Sequence, residues 1–227
     1  MTSPILITGT NKRVGQQLAQ QLAEAGFDVL AVSRSPATVT HSRITTFQAD
    51  LRSNDDRAAL IAFVSNRFGS LRGIIHNASL WLDDDLDNLT TMFKIHVEAP
   101  FHLNMALGEL LKNSTKADII HICDESASRG SRGHVAYAAT KAALQNMTLS
   151  FAEMYAPDIR VNAISPGLLI FKEDSNHEYQ QKALNKALLK FEPGAEPLIE
   201  AVLYLLNSNY STGSNIVING GRHLRNN

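Results

Sequence analysis

The chain has 227 residues, 44% hydrophobic and 19% charged, and its 21 Lys and Arg against 22 Asp and Glu leave a formal net charge of −1. That length suits a single domain, 1–227, whose core needs no disulfide or structural metal, and the composition excludes a disordered chain. The charge balance offers no footprint for nucleic acid or an anionic membrane, and no apolar run nears the ~20 residues of a membrane span.

The N-terminus, Met1 to Thr8, has no basic leader region, and Cys123, the one cysteine, has no partner within the chain. Both features lead to the expectation of a reducing, cytoplasmic setting. Ile5-Leu6-Ile7-Thr8 reads as a short strand buried on both faces. Val14, Leu18 and Leu22 then recur at helical spacing up to Gly26. Val29–Ser33 and Ile44–Gln48 are the next strands, and Ser53-Asn54-Asp55-Asp56 opens a helix with Leu60, Ile61, Val64 and Phe68 inward. Gly73–Asn77 is strand four. A helical pattern runs from Leu89 to Leu111 and is expected to be interrupted at Pro100. Asp118–Cys123 is strand five, and a helix from Ala136 turns Leu144, Met147, Phe151 and Met154 inward until Pro157. Arg160–Ile164 and Asn215–Ile218 are the last strands, with 174–207 helical between them. Strands alternating with helices predict an α/β fold, one doubly wound parallel seven-stranded sheet with helices on both faces.

In such a sheet, ligands sit at the carboxyl ends of the strands. The first turn supplies Gly9, Lys12, Arg13, Val14 and Gly15: glycines for a tight turn and close packing, and beyond them a helix start whose free amides suit a phosphate. Arg34 follows strand two where an acidic residue would select NAD; a guanidinium there fits the 2′-phosphate of NADPH, though a solvated loop cation is the bland alternative. Asp50-Leu51, after strand three, is placed to meet the adenine or simply to form a turn. Tyr137 and Lys141 lie one helical turn apart. The cation, together with a positively charged oxidised nicotinamide, is expected to draw the phenol below its ordinary pKa near 10, so that Tyr137 transfers a proton.

Thr8-Gly9 with Gly15, His76-Asn77-Ala78, Tyr137 with Lys141, and Ser165-Pro166-Gly167 together resemble the short-chain dehydrogenase/reductase family over essentially the whole chain. The resemblance implies that Asn77, Ala78, Pro166 and Gly167 join the cofactor site. Three positions depart from the common pattern: Arg13 replaces a glycine, Asp124 the usual serine, and His96 the usual asparagine. Arg13, Asp124 and the segment Asn77-Ala78-Ser79-Leu80-Trp81 resemble the pteridine reductase branch. Ile95-His96-Val97, Asp118-Ile119-Ile120-His121, Asn146-Met147-Thr148, Ala183-Leu184-Asn185-Lys186 and Gly220-Gly221-Arg222-His223-Leu224-Arg225 are similar to its bacterial members that act on dihydromonapterin. That likeness implies NADPH-dependent reduction of 7,8-dihydromonapterin, with dihydrofolate or dihydrobiopterin as further substrates. It implies a substrate site of Arg13, Ser79, Trp81, Asp124 and Tyr137, with Tyr137, Lys141 and Asp124 catalytic. It further implies a substrate lid within 171–207, bearing Tyr179, and a homodimer or homotetramer paired through the helices around Pro100 and Leu144.

His76, His96 and His121 sit on separate elements without zinc-type spacing, so no metal is expected. His76 and His121 are expected in the core, and Cys123 as inert packing. The run Asp83-Asp84-Asp85 with Asp87 reads as a solvated loop or helix start, with the rim of the substrate mouth as the alternative because it follows Trp81. Other functions for the same fold are an NADP-dependent reductase of an unrelated ketone and a non-catalytic NADP-sensing module; a retained Tyr137–Lys141 pair disfavours the latter.

Overall fold

The computed structural model describes residues 3–225; Met1 and Thr2, where the leader-free N-terminal reading begins, and Asn226 and Asn227 lie outside it. Seven parallel strands make one sheet: β1 (Ile5–Thr8), β2 (Val29–Ser33), β3 (Ile44–Gln48), β4 (Gly73–His76), β5 (Ala117–Ile122), β6 (Ile159–Pro166) and β7 (Asn215–Ile218). Their spatial order is β3-β2-β1-β4-β5-β6-β7, so the direction of winding reverses between β1 and β4. There, the carboxyl ends open a crevice. In register, Ile5 pairs with Val29 on one side and with Gly73 on the other.

The helices are α1 (Arg13–Glu24), α2 (Asn54–Arg67), α3 (Leu86–Phe93), α4 (Ala99–Lys112), α5 (Ser126–Arg129), α6 (Val135–Tyr155), α7 (His177–Leu184) and α8 (Glu196–Asn207). The strands alternate their buried side chains between two helical layers. Leu6, Leu30, Ile74 and Ile119 face α2, α4 and α6, meeting Leu60, Leu103 and Phe151. Ile5, Ile7, Ile75 and Ile120 face α1 and α8, meeting Leu18, Leu22, Leu198 and Val202. Burial on both faces explains why the strands read as unbroken apolar runs.

The observed elements depart from the sequence expectations in four places. Pro100 does not interrupt the long helix: residues Lys94–Glu98 form a π-helical turn that leads straight into α4, with Pro100 in its first turn. A proline ring crowds the carbonyl four residues back and lacks an N–H, and a wider turn relieves both. Met154 points outward at 58% exposure, whereas Leu144 and Phe151 are buried. The helical span 174–207 is two helices: α7 buries none of its residues, and α8 belongs to the core. The short α5 after β5 carries too little apolar periodicity to be read in advance.

Candidate active site

A cleft of about 790 Å³ opens at the carboxyl ends of the strands, across the β1/β4 crevice. One end is built by the turn after β1. Gly9 has φ +73°, and a Cβ there would lie 2.7 Å from Ala78 Cα; a Cβ on Gly15 would lie 2.1 Å from Gly9 O. Only glycines allow this approach. Arg13 adopts φ +46° without being a glycine, a conformation that costs a non-glycine residue about 1 kcal/mol or more. α1 begins at Lys12 with no side-chain cap, while α2, α3 and α7 are capped by Ser53, Asp85 and Asn176. The first amides of α1 are therefore left free at the cleft wall.

Asn77 locks this turn to β4. Its Nδ2 donates to Thr8 O at 3.1 Å and Gly9 O at 3.0 Å, while the Asn77 and Ala78 amides donate to Thr8 Oγ1, each at 3.0 Å. Arg34 stands exposed on the cleft wall, with Gln48 Nε2 donating to its carbonyl at 3.2 Å. Asp50 accepts from Arg52 Nε at 2.9 Å, and that guanidinium holds its carboxyl below the ordinary value. Asp56, three residues after the α2 cap, accepts from Asp50 N at 2.7 Å and so fixes the loop after β3. Leu51, Pro166 and Gly167 complete this part of the lining.

At the other end α6 presents Tyr137 and Lys141 on one face. Lys141 is fully buried and its Nζ donates to Ile122 O at 2.9 Å. Tyr137 OH donates to Asp124 Oδ2 at 3.3 Å. Asp124 Oδ1 is anchored by Ser126 N at 2.8 Å and Ser126 Oγ at 2.6 Å, so one carboxylate oxygen is held and the other faces the phenol. The expected lowering of the Tyr137 pKa by Lys141 does not hold in the protein alone. Burial first, and the Asp124 carboxylate second, push it above the ordinary phenol value, and burial lowers the pKa of Lys141 itself. The ammonium is turned to Ile122 O and lies 5.9 Å from the Tyr137 ring centre.

His96, brought inward by the π turn, links the Ser79–Leu80 loop to α6. Its Nε2 accepts from Leu80 N at 3.1 Å and lies 2.9 Å from Ser79 Oγ, which leaves Nδ1–H to donate to Thr140 Oγ1 at 2.8 Å. The Thr140 hydroxyl in turn donates to Tyr137 O at 2.8 Å. Burial and the nearby Lys141 cation drive the His96 pKa down to about 2, so the ring is neutral. Trp81 walls the cleft 6.2 Å from the Tyr137 ring, with Lys172 Nζ 5.2 Å from its own ring centre.

All the sequence-derived site residues line this one cleft. Sequence reasoning missed three others. Glu125, buried beside Asp124, is gripped by Arg129 (Nε to Oε2, 2.7 Å) and by Arg222 from the chain's last turn (Nε to Oε1, 2.9 Å). His134 accepts from Trp81 Nε1 at 3.1 Å. Asp84, expected in a solvated acidic run, accepts from the first amides of α6. Only an unusual residue at a patterned position could have flagged such partners, as His96 did.

His76 and His121 lie in the core, as their sequence setting implied. Asn104 joins them: His76 Nε2 donates to its Oδ1 at 2.8 Å, its Nδ2 donates to His121 Nε2 at 3.2 Å, and His121 Nδ1 donates to Thr148 Oγ1 at 2.9 Å. Cys123 is buried, its thiol pushed up to about 12 by desolvation and so inert as a nucleophile. Among the described residues no group of three or more His, Cys, Asp or Glu is arranged to hold a metal, and no helix is long and apolar enough to cross a membrane.

A family profile described as short chain dehydrogenase matches residues 3–182. Dihydromonapterin reductase of Citrobacter koseri is 42% identical over 98% of this chain and 97% of its own length, and that of Shigella boydii is 43% identical over the same shares. Among solved structures, FolM alternative dihydrofolate reductase 1 from Brucella canis, complexed with NADP, is 27% identical with a TM-score of 0.88, covering 99% of this chain and 95% of that one. A 4-hydroxyisoleucine dehydrogenase complexed with NADH shares the fold at a TM-score of 0.91 and 23% identity, over 99% of this chain and 100% of that one.

Proposed function

Since the chain belongs to the short-chain dehydrogenase family, we propose that it is an NADPH-dependent reductase converting 7,8-dihydromonapterin to the tetrahydropterin, with dihydrofolate or dihydrobiopterin as further substrates. The observation that carries this reading is the Tyr137–Asp124 hydrogen bond in a cleft walled by Trp81. A carboxylate under the phenol, facing a flat aromatic wall, suits an aromatic heterocycle that must be protonated on nitrogen.

The crowded Gly9/Gly15 turn and the uncapped start of α1 fit a dinucleotide's pyrophosphate. Arg34 fits the extra phosphate of NADPH. When bound, NADPH supplies the hydride that adds to C6 of the pterin. This chain's residues do the rest. Lys141, anchored on Ile122 O, holds the cofactor ribose. Trp81 stacks on the pterin, and Arg13 and Ser79 meet its pyrimidine edge. Tyr137, kept protonated by burial and Asp124, is loaded as the proton donor to N5. Asp124 orients the phenol, and Asn77 holds the turn from within the cofactor part of the cleft.

The substrate cover lies within 171–207. Lys172, Ser175, Tyr179 and Lys186 line the cleft from it, and no residue of α7 is buried. The protein assembles as a homodimer or homotetramer: Phe93, Phe101 and Met105 before and along α4, with Leu149 and Met154 on α6, leave large apolar side chains exposed where the long helices would pair. Its single buried cysteine suits the cytoplasm.

The test is NADPH oxidation followed by absorbance with dihydromonapterin, dihydrobiopterin and dihydrofolate side by side. Turnover with the first, nearly abolished in Tyr137→Phe while NADPH still binds, is the expected result. No oxidation with any of the three, or full activity of Tyr137→Phe, overturns the proposal.

A further inference from the structure

α6 carries Tyr137 and Lys141, yet its N-cap residue, His134, makes no side-chain bond to the helix's own free amides. Those amides are met from 51 and 52 residues away. Asp84 Oδ2 accepts from Val135 N and Asp84 Oδ1 from Ala136 N, each at 2.9 Å. Both oxygens of one carboxylate are thus spent on the two residues that precede Tyr137.

The same loop is tied to the same helix start a second time. Trp81 Nε1 donates to His134 Nδ1 at 3.1 Å, with the two rings edge-to-face at 4.7 Å. One position on, Asp85 caps α3 by accepting from Asn88 N at 2.7 Å. Two adjacent carboxylates therefore pin two helices, the one leading into the His96 turn and the one bearing Tyr137. Asp84 is exposed, so it fills no core. The two amide bonds hold its carboxyl below the ordinary value, so it is ionised opposite the positive end of α6.

We propose that Asp84 is a positioning residue: it ties the Trp81 loop to the start of α6 and so fixes the Tyr137 hydroxyl against the substrate ring. This rests on the dihydropterin reading above. Helices fray from their first turn when its amides lose their partners, and Tyr137 lies in that turn. Lys141 lies a turn deeper and keeps its own anchor on Ile122 O. Loss of Asp84 thus separates proton delivery from cofactor binding.

The experiment compares Asp84→Ala and Asp84→Asn with the parent enzyme. Asp84→Ala is expected to lose about 10- to 100-fold in kcat with dihydromonapterin, with the NADPH dissociation constant within about twofold of the parent's. Asp84→Asn, whose amide oxygen still accepts one bond, recovers most of that loss. Trp81 is the chain's single tryptophan, so its fluorescence reads the loop directly: acrylamide quenches it more strongly in Asp84→Ala without any ligand present. An active parent whose Asp84→Ala variant keeps its kcat, or whose Trp81 quenching is unchanged, overturns the inference alone. A parent that reduces no dihydropterin overturns the proposed function and the inference with it.

Discussion

Arg34 is exposed, and its side chain has no acidic partner among the described ion pairs. Its neighbour across the loop, Asp50, is already engaged by Arg52. At the proposed adenosine end, a guanidinium left free would discriminate by a charge-assisted bond worth ~1.5–3 kcal/mol. Replacing Arg34 with Ser is therefore expected to raise the KM for NADPH about 10- to 100-fold and to leave that for NADH nearly unchanged. Steady-state kinetics with both cofactors check this; equal losses with the two would show that Arg34 does not read the phosphate. At this scale, what could be read from the sequence was local. Tyr137 and Lys141 are four apart on one helix, and Gly9 and Gly15 share one turn. Asp84, His134 and Glu125 could not be read, because a defining partner of each (Val135, Trp81 and Arg222) lies 51, 53 and 97 positions away and no periodicity links them. The raised phenol pKa of the protein alone could not be read for a related reason: spacing places the Lys141 stem beside Tyr137, but only the fold shows its ammonium turned to Ile122 O.

The strands were legible because burial on both faces leaves unbroken apolar runs, and the amphipathic helices because their inward stripes repeat. Besides the short α5, the element that escaped was the π turn at Lys94–Glu98, whose sequence reads as ordinary helix up to Pro100. Its effect is to carry His96 inward between Ser79 and Thr140. A second chain of polar side chains, His76–Asn104–His121–Thr148, crosses β4, α4, β5 and α6. Burial lowers the pKa of His76 to about 4 and that of His121 well below its usual value, as it does for His96. The folded protein thus keeps these rings neutral, while the unfolded chain protonates them below pH ~6.5. Folded pKa values depressed below unfolded ones mean that stability is fully present above pH ~6.5 and is lost as pH falls. Each histidine contributes up to about 1.4 kcal/mol of loss per pH unit until its folded pKa is reached. Urea unfolding should give a constant midpoint from about pH 8 to pH 7 and a steadily falling one towards pH 5; a flat midpoint would mean that the rings accept protons in place.

At the scale of the whole molecule the sheet accounts for its own two faces but leaves apolar surface beyond them. Phe101 and Met105 are about half exposed at 50% and 48%, and Leu149 and Met154 at 55% and 58%. A second set, Leu188, Leu189, Phe191 and Tyr204, stands out around the chain's last third. Single exposed apolar residues are ordinary, whereas grouped ones mark contact surfaces. Light scattering coupled to size exclusion is expected to give a multiple of the 24.9 kDa chain, with Phe101→Glu combined with Leu149→Glu shifting it to smaller species. A 24.9 kDa parent species would contradict the assembly.

The Glu125–Arg222 pair joins the loop after β5 to the last turn of the chain. During synthesis on a ribosome, Asp124 and Glu125 emerge long before Arg222 does. A nascent chain that has laid down its first six strands still lacks one of the two guanidiniums that hold Glu125. The carboxylate pair beneath the cleft reaches its final arrangement only after Arg222 has been made, so products shortened before it can own most of the sheet without a finished site.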